Sequence, residues 1–195
     1  MTLAIGGVAF DDVYSEGFPA TAGDKERWTA LGGNTTTNVP MLECDGHVYT
    51  QSSAVLRAAG RKAGLVPSGC DHHLYHMDKI IADADDLRAA SYKVIFGGDN
   101  AAKVALRDGV LPNHLGNLQR QLGDSEWFAG DKLSVADVTA FDVCMSSVGL
   151  VPTALDKLDK LRAFCDRVAA NPKLTAYRES EEFKGLMNFG PLTFE

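Results

Sequence analysis

Gln51 and Ser52 are the first residues in the chain whose types and spacing could do chemistry. They stand between a tight turn and a helical run, "SSAVLRAAGRK", that begins at Ser52. The first amides of a helix have no partner inside it, and the helix dipole adds positive potential there, so such a mouth attracts an anion. The same pair also reads as a hairpin exit and a helix cap. A second group is "HHLYH", His72, His73 and His76. On a helix, His72 and His76 share a face, as metal ligands can, but no third ligand type lies nearby, so the segment reads as a solvated helix start and no metal is assigned. The four cysteines, Cys44, Cys70, Cys144 and Cys165, form no C-x-x-C pair and read as reduced thiols. Cys44, next to the turn, alternates on a strand and reads as packing rather than as a redox group.

The elements that must position these residues follow from pattern. "PMLEC" and "HVYTQ" read as two strands joined at Asp45-Gly46, a dipeptide suited to the positive φ angles of a two-residue hairpin. Ahead of them, "VAFDDVY" (8–14) is strand-like, "SEGFPATAGDKERW" is a loop with room for one helical turn, and "TALGGNTTTN" suits no regular element. Helix is predicted over 52–62, with Arg61 and Lys62 at its negative pole. Gly64, Pro67 and Gly69 then mark a linker. Beyond residue 70 everything reads as helix. Leu74, Met77, Ile81, Ala84 and Leu87 form one stripe and Leu111, Leu115, Leu118 and Leu122 another, with Pro112 a candidate kink. Ser134 and Asp137 form a capping box before "VADVTAFDVCMSSVGL". The order implies an α+β chain with an incomplete mixed subdomain, 1–66, and an all-helical domain, 71–195.

Composition narrows the function. The chain has 195 residues, 45% hydrophobic and 23% charged, with a net charge of −7 and a pI near 5.2. No basic block could track phosphates, so nucleic acid is excluded as a partner. No apolar run approaches the roughly 20 residues of a membrane span, and "MTLAIGGVAFDDVY" lacks the pattern of a signal peptide, which points to the cytoplasm.

The chain resembles the cytosolic glutathione transferases, most closely the sigma-like class that includes the haematopoietic prostaglandin D synthases. The resemblance runs from about Leu3 to the end, through "LAIGGVAFDDV", Trp28, "NVPMLECDGHVYTQSSAVLRAAGRKAGL", "MDKIIADADDL", "WFAGDKLSVADVTAFDV" and "NPKLTAY". It implies a thioredoxin-like N-terminal subdomain followed by an all-α domain, and glutathione as substrate or ligand. It implies that Pro40 is cis and that the backbone of Val39 pairs with the cysteinyl part of glutathione, as an extended peptide adds to a strand edge. By the same resemblance Gln51 and Ser52 hold the γ-glutamyl carboxylate and Trp28 lies near the glycine end. Asn38 stands where many members carry Gln or Lys, and Asp86 reaches the glutathione of a partner subunit. Tyr92, Ile95 and Phe96 are candidates for the wall that holds a small hydrophobic electrophile.

The departures are equally specific. In the family a tyrosine on the first strand activates the glutathione sulfur by stabilising its thiolate. Met1 aligns inside the family's first helix, so the first strand and that tyrosine are absent from this chain, which reads as N-terminally truncated. No catalytic residue is assigned, since Tyr14 aligns to the second strand and Tyr49 to the hairpin. A missing central strand would leave orphaned backbone groups at about 1–3 kcal/mol each. Three expectations follow: a start placed too late, a strand donated by another chain, or residues 1–14 themselves filling the gap. The turn after Trp28 offers Leu31, Gly32 and Gly33 where the family has a lysine, so weaker glutathione binding is expected. Two functions follow: a transferase conjugating glutathione to small hydrophobic electrophiles, or a non-catalytic scaffold whose sheet a partner strand completes. Either way the resemblance implies a homodimer or a subunit of a larger assembly.

Overall fold

Asp45 and Gly46 take φ angles of 52° and 74°, and the strands on either side close antiparallel around them. This hairpin, β1 (Leu42–Cys44) and β2 (His47–Tyr49), pairs Leu42 with Tyr49, Glu43 with Val48 and Cys44 with His47. Two positive φ angles twist the turn to match the strands, which is why Asp-Gly is favoured there. The computed structural model describes residues 1–13, 22–32, 39–183 and 190–194. Two units emerge along the chain, Met1–Val66 and Pro67–Glu195.

In the first unit, α1 (Thr2–Gly6) packs on α3 (Ser52–Lys62). Gly6 permits the contact: a Cβ there would lie 2.5 Å from the Cβ of Ala63. Gly7, at φ 71°, ends α1 with its amide bonded to Ala4 and that of Val8 bonded to Leu3, a Schellman turn. Lys62 reaches the hairpin turn at Asp45, Nζ to Oδ2 2.7 Å. The ion pair is exposed, so it orients the turn more than it stabilises it.

Three expectations for this unit need correction. Residues 8–13 form no strand, and the Val8 amide is already committed to closing α1; Tyr14 lies outside the described residues. Nor does the segment beginning at Thr2 supply a strand, because Thr2–Gly6 is helical with Thr2 and Ile5 buried. Residues 22–30 are a nine-residue helix, α2 (Ala22–Ala30), rather than a loop with one turn. Asp24 in its first turn and Arg27 in its last complement the helix dipole. None of its residues is fully buried, so there is no apolar stripe from which to read it. Among the described residues the sheet has two strands.

The second unit is helical. α4 (Asp71–Gly97) buries Met77, Ile80, Ile81, Ala84, Leu87 and Ser91, spaced as one helical face. α5 (Asn100–Ala105) runs through a π-helical turn, Leu106–Val110, into α6 (Leu111–Leu122). The widened turn lies just before Pro112, whose missing amide and bulky ring disturb a regular ladder. The four leucines of α6 are all buried. α7 (Val135–Leu150) is buried nearly all round and packs on both α4 and α8 (Asp159–Ala169). α9 (Pro172–Glu179) starts from Asn171, whose side chain accepts from the amides of Lys173 and Leu174.

The start of α7 is tied down by side-chain hydrogen bonds. Asp137 is fully buried, and its Oδ1 accepts from the Phe128 amide at 2.9 Å. Its Oδ2 accepts from the Ser134 amide and the Ser134 Oγ, both at 2.8 Å. Burial pushes the carboxyl above its ordinary value, while the bonds from Phe128 and Ser134 pull it back. The capping box read from the sequence is present.

Candidate functional site

The first unit places four of the expected glutathione residues on one end of the hairpin. Pro40 lies two positions before β1, with Met41 between, and Gln51 two positions after β2, with Thr50 between. Because Leu42 faces Tyr49, the two stretches leave the hairpin at its open end. The Val39–Pro40 peptide bond is cis, and Val39 is 40% exposed. Gln51 and Ser52 are both exposed, and α3 begins without a side-chain cap.

Gln51 carries a feature that the sequence did not announce. Its φ is 72° and its ψ 117°, outside the ordinary regions for a residue with a side chain. Such a backbone costs on the order of 1–3 kcal/mol and persists where the surroundings demand it, often at ligand sites. Trp28 lies in α2 and is half-buried. Lys25 and Arg27, the cations nearest the lysine-free turn, are exposed on the same helix. Asn38 lies outside the described residues.

The second unit holds a cavity of about 100 Å³ between α4 and α7. Of the expected electrophile wall, Tyr92 and Ile95 line it. Phe96 does not line it, but its ring centroid is 5.8 Å from that of Tyr92. Asp86 is exposed on α4 and also stands off the lining. Apolar surface comes from Leu87, Val143 and Leu150, and hydroxyls from Ser91, Ser146 and Ser147.

Arg88 and Asp142, also in the lining, are the residues that sequence reasoning missed. Arg88 donates from Nη2 to Asp142 Oδ2 at 2.7 Å and from Nη1 to Asp85 Oδ1 at 2.8 Å. Burial opposes the guanidinium charge, but the two carboxylates outweigh it and hold the group above its ordinary value. Burial also pushes the Tyr92 phenol up, with the Arg88 charge pulling down and Asp142 pushing up. The sequence carried one usable signal for the pair, a lone carboxylate, Asp142, between apolar residues in the middle of α7. A charge inside a helix that is otherwise buried needs a partner.

Outside these regions, His72 and His76 bring their Nε2 atoms within 3.0 Å, sharing a hydrogen bond. Among the described residues no group of three or more His, Cys, Asp or Glu is placed to hold a metal ion. All four cysteines are free, Cys44 and Cys70 half-buried and the other two buried.

Comparison with known proteins adds the family. Residues 85–181 match the family model "Glutathione S-transferase, C-terminal domain". Glutathione S-transferase Mu 1 of Oryctolagus cuniculus is 33% identical over 164 residues, covering 82% of this chain and 74% of that one. The chain belongs to the glutathione S-transferase family. Glutathione S-transferase 2 of Gallus gallus is likewise 33% identical, over 85% of this chain and 76% of its own. The chain spans a smaller share, 66%, of glutathione S-transferase Mu 6 of Mus musculus. Among solved structures, the Pi-class glutathione S-transferase of Onchocerca volvulus superposes with a TM-score of 0.77 at 24% identity, over 91% of this chain and 83% of that one. Prostaglandin synthase D of Nilaparvata lugens gives 0.75 at 26% identity, over 92% and 89%. The glutathione S-transferase fold, a thioredoxin-like N-terminal part and a helical C-terminal domain, is therefore the fold of this chain. Among the described residues no helix is long and apolar enough to cross a membrane.

Proposed function

We propose that this glutathione S-transferase binds glutathione at the open end of its hairpin and conjugates it to small hydrophobic electrophiles. The carrying observation is the mouth of α3: exposed, without a side-chain cap, and preceded by Gln51 in a strained backbone. The first amides of α3 and the Gln51 and Ser52 side chains receive the γ-glutamyl carboxylate. The exposed backbone of Val39 pairs with the cysteinyl part, as a peptide adds to a strand edge. Trp28 and Asn38 complete the contacts, and Asp86 serves the glutathione of a partner subunit in a homodimer. Tyr92, Ile95 and Phe96 form the wall for the electrophile. The structural kinship with a prostaglandin synthase supports a sigma-like assignment.

Conjugation also needs a hydroxyl beside the glutathione sulfur, which the resemblance to the family assigns to a tyrosine on the family's first strand. Two activity measurements decide between catalysis and a scaffold. Glutathione conjugation to chlorodinitrobenzene is assayed on this chain and on a form extended at its N-terminus with the family's first strand and tyrosine. Catalysis by the extended form alone assigns the chemistry to the family's first strand and its tyrosine. No catalysis by either, with glutathione binding intact, favours the scaffold, whose two-stranded described sheet leaves an edge for a partner strand. Absence of glutathione binding in both forms rejects the proposal.

A further inference from the structure

The first two turns of α4 bring two imidazoles together. His72 and His76 are four positions apart on one helix face, and their Nε2 atoms are 3.0 Å from each other. A hydrogen bond between two ring nitrogens requires a lone pair on one of them, so the two rings are not both cationic in this arrangement. Tyr75 lies against both, its centroid 6.4 Å from that of His72 and 5.5 Å from that of His76. Such contacts restrict the rings, so less rotamer freedom is lost when an ion takes hold of both nitrogens. His72 is exposed and His76 half-buried, which leaves the pair open to solvent.

The spacing of the nitrogens indicates which ions fit. Metal–imidazole bonds are about 2.0–2.1 Å long, so two of them at a right angle hold their nitrogens about 2.9 Å apart, and at the tetrahedral angle about 3.3 to 3.4 Å apart. The observed 3.0 Å lies near the right angle. That is the angle of the tetragonal sites favoured by copper(II) and nickel(II), and copper(II) binds nitrogen ligands more tightly than its neighbours in the first row. His73 is held elsewhere: its Nδ1 would lie 2.9 Å from a Cβ placed on Gly130, so that ring packs on the Gly130 backbone. Among the described residues no third His, Cys, Asp or Glu joins the pair. Asp71, in the first turn of α4, offsets the positive pole of the helix start.

We propose that His72 and His76 form a two-nitrogen chelate for a copper(II) ion at the start of α4. The ion takes the place of the shared proton, and water fills its remaining positions. The site shares no residue with the α4–α7 cavity and needs neither glutathione nor any step at its sulfur.

The test titrates copper(II) chloride into the full chain at neutral pH, by calorimetry and by amide spectra of isotopically labelled protein. A dissociation constant on the order of 10 μM is expected for two nitrogen ligands. Paramagnetic broadening should appear first at the amides of residues 71–77. His72→Gln and His76→Gln should each weaken binding about tenfold or more, whereas His47→Gln, at an exposed histidine on β2, should leave it unchanged. Binding weaker than about 1 mM overturns the inference and leaves the pair a hydrogen bond only. So does broadening that begins elsewhere while residues 71–77 stay sharp, or an affinity that neither His72→Gln nor His76→Gln moves. The broadening is read in the unsubstituted protein, so it decides the matter even if a variant folds poorly.

Discussion

Two helices of this chain have a serine at their start, one as the cap before α7 and one as the first residue of α3, and the two starts are treated in opposite ways. Ser134 caps α7 in the interior, where Asp137 accepts three hydrogen bonds. Ser52 begins α3 at the surface, with no side-chain cap and a strained residue before it. A helix start that serves only folding is closed by its own side chains. One proposed to serve a ligand is exposed and carries strain in its backbone. The cap position thus holds Ser134 at a fixed point of the helical unit and Gln51 at the mouth proposed to bind glutathione.

The strongest way to break this contrast is at the closed end. Asp137→Ala orphans the buried Phe128 and Ser134 amides, and a loss of about 4 kcal/mol of unfolding free energy is expected in urea titrations. A loss below about 1 kcal/mol would mean that the box is not a keystone of the helical unit. Next comes the far end of α3. Gly6→Ala puts a methyl into Ala63, and a loss of about 2 kcal/mol is expected for the first unit, read as lower protection of the α1 and α3 amides in hydrogen exchange.

The smallest stability effects belong to the open mouth, which makes them the most informative. Gln51→Gly relieves about 1 kcal/mol of backbone strain but adds chain entropy to the unfolded state, so thermal stability should hold within about 2 °C. Glutathione affinity should nevertheless fall about tenfold, as a carboxylate contact is lost. Ser52→Ala should change stability by less than about 0.5 kcal/mol while weakening glutathione to a similar degree. A drop in stability without a drop in affinity at either position would turn the open mouth into an ordinary cap.

Much of this contrast was legible in the sequence, and the physical reason is locality. The hairpin at Asp45-Gly46, the span of α3 and the box at Ser134 and Asp137 are each set by residues within four positions of one another, so pattern alone finds them. The leucines of α6 obey the same rule. What escaped depends on partners or context. α2 has no apolar face to read, and its Gly- and Pro-containing lead-in suggested a loop. Residues 8–13 have strand-like composition, but the Val8 amide is claimed by the end of α1. Arg88 and Asp142 lie 54 positions apart, so no local pattern joins them. The backbone of Gln51 is strained by its surroundings rather than by its own type, and nothing in a glutamine announces that.

The central claim is that the mouth of α3 is kept open for an anionic end of glutathione. Amide chemical shifts followed while glutathione is titrated into isotopically labelled protein test it most directly. The account predicts that the amides of Ser52, Ser53 and Ala54 move together and saturably, while the amides of Ser134 and Asp137 stay in place. Saturable shifts confined to other parts of the chain, with the first turn of α3 unmoved, would contradict it.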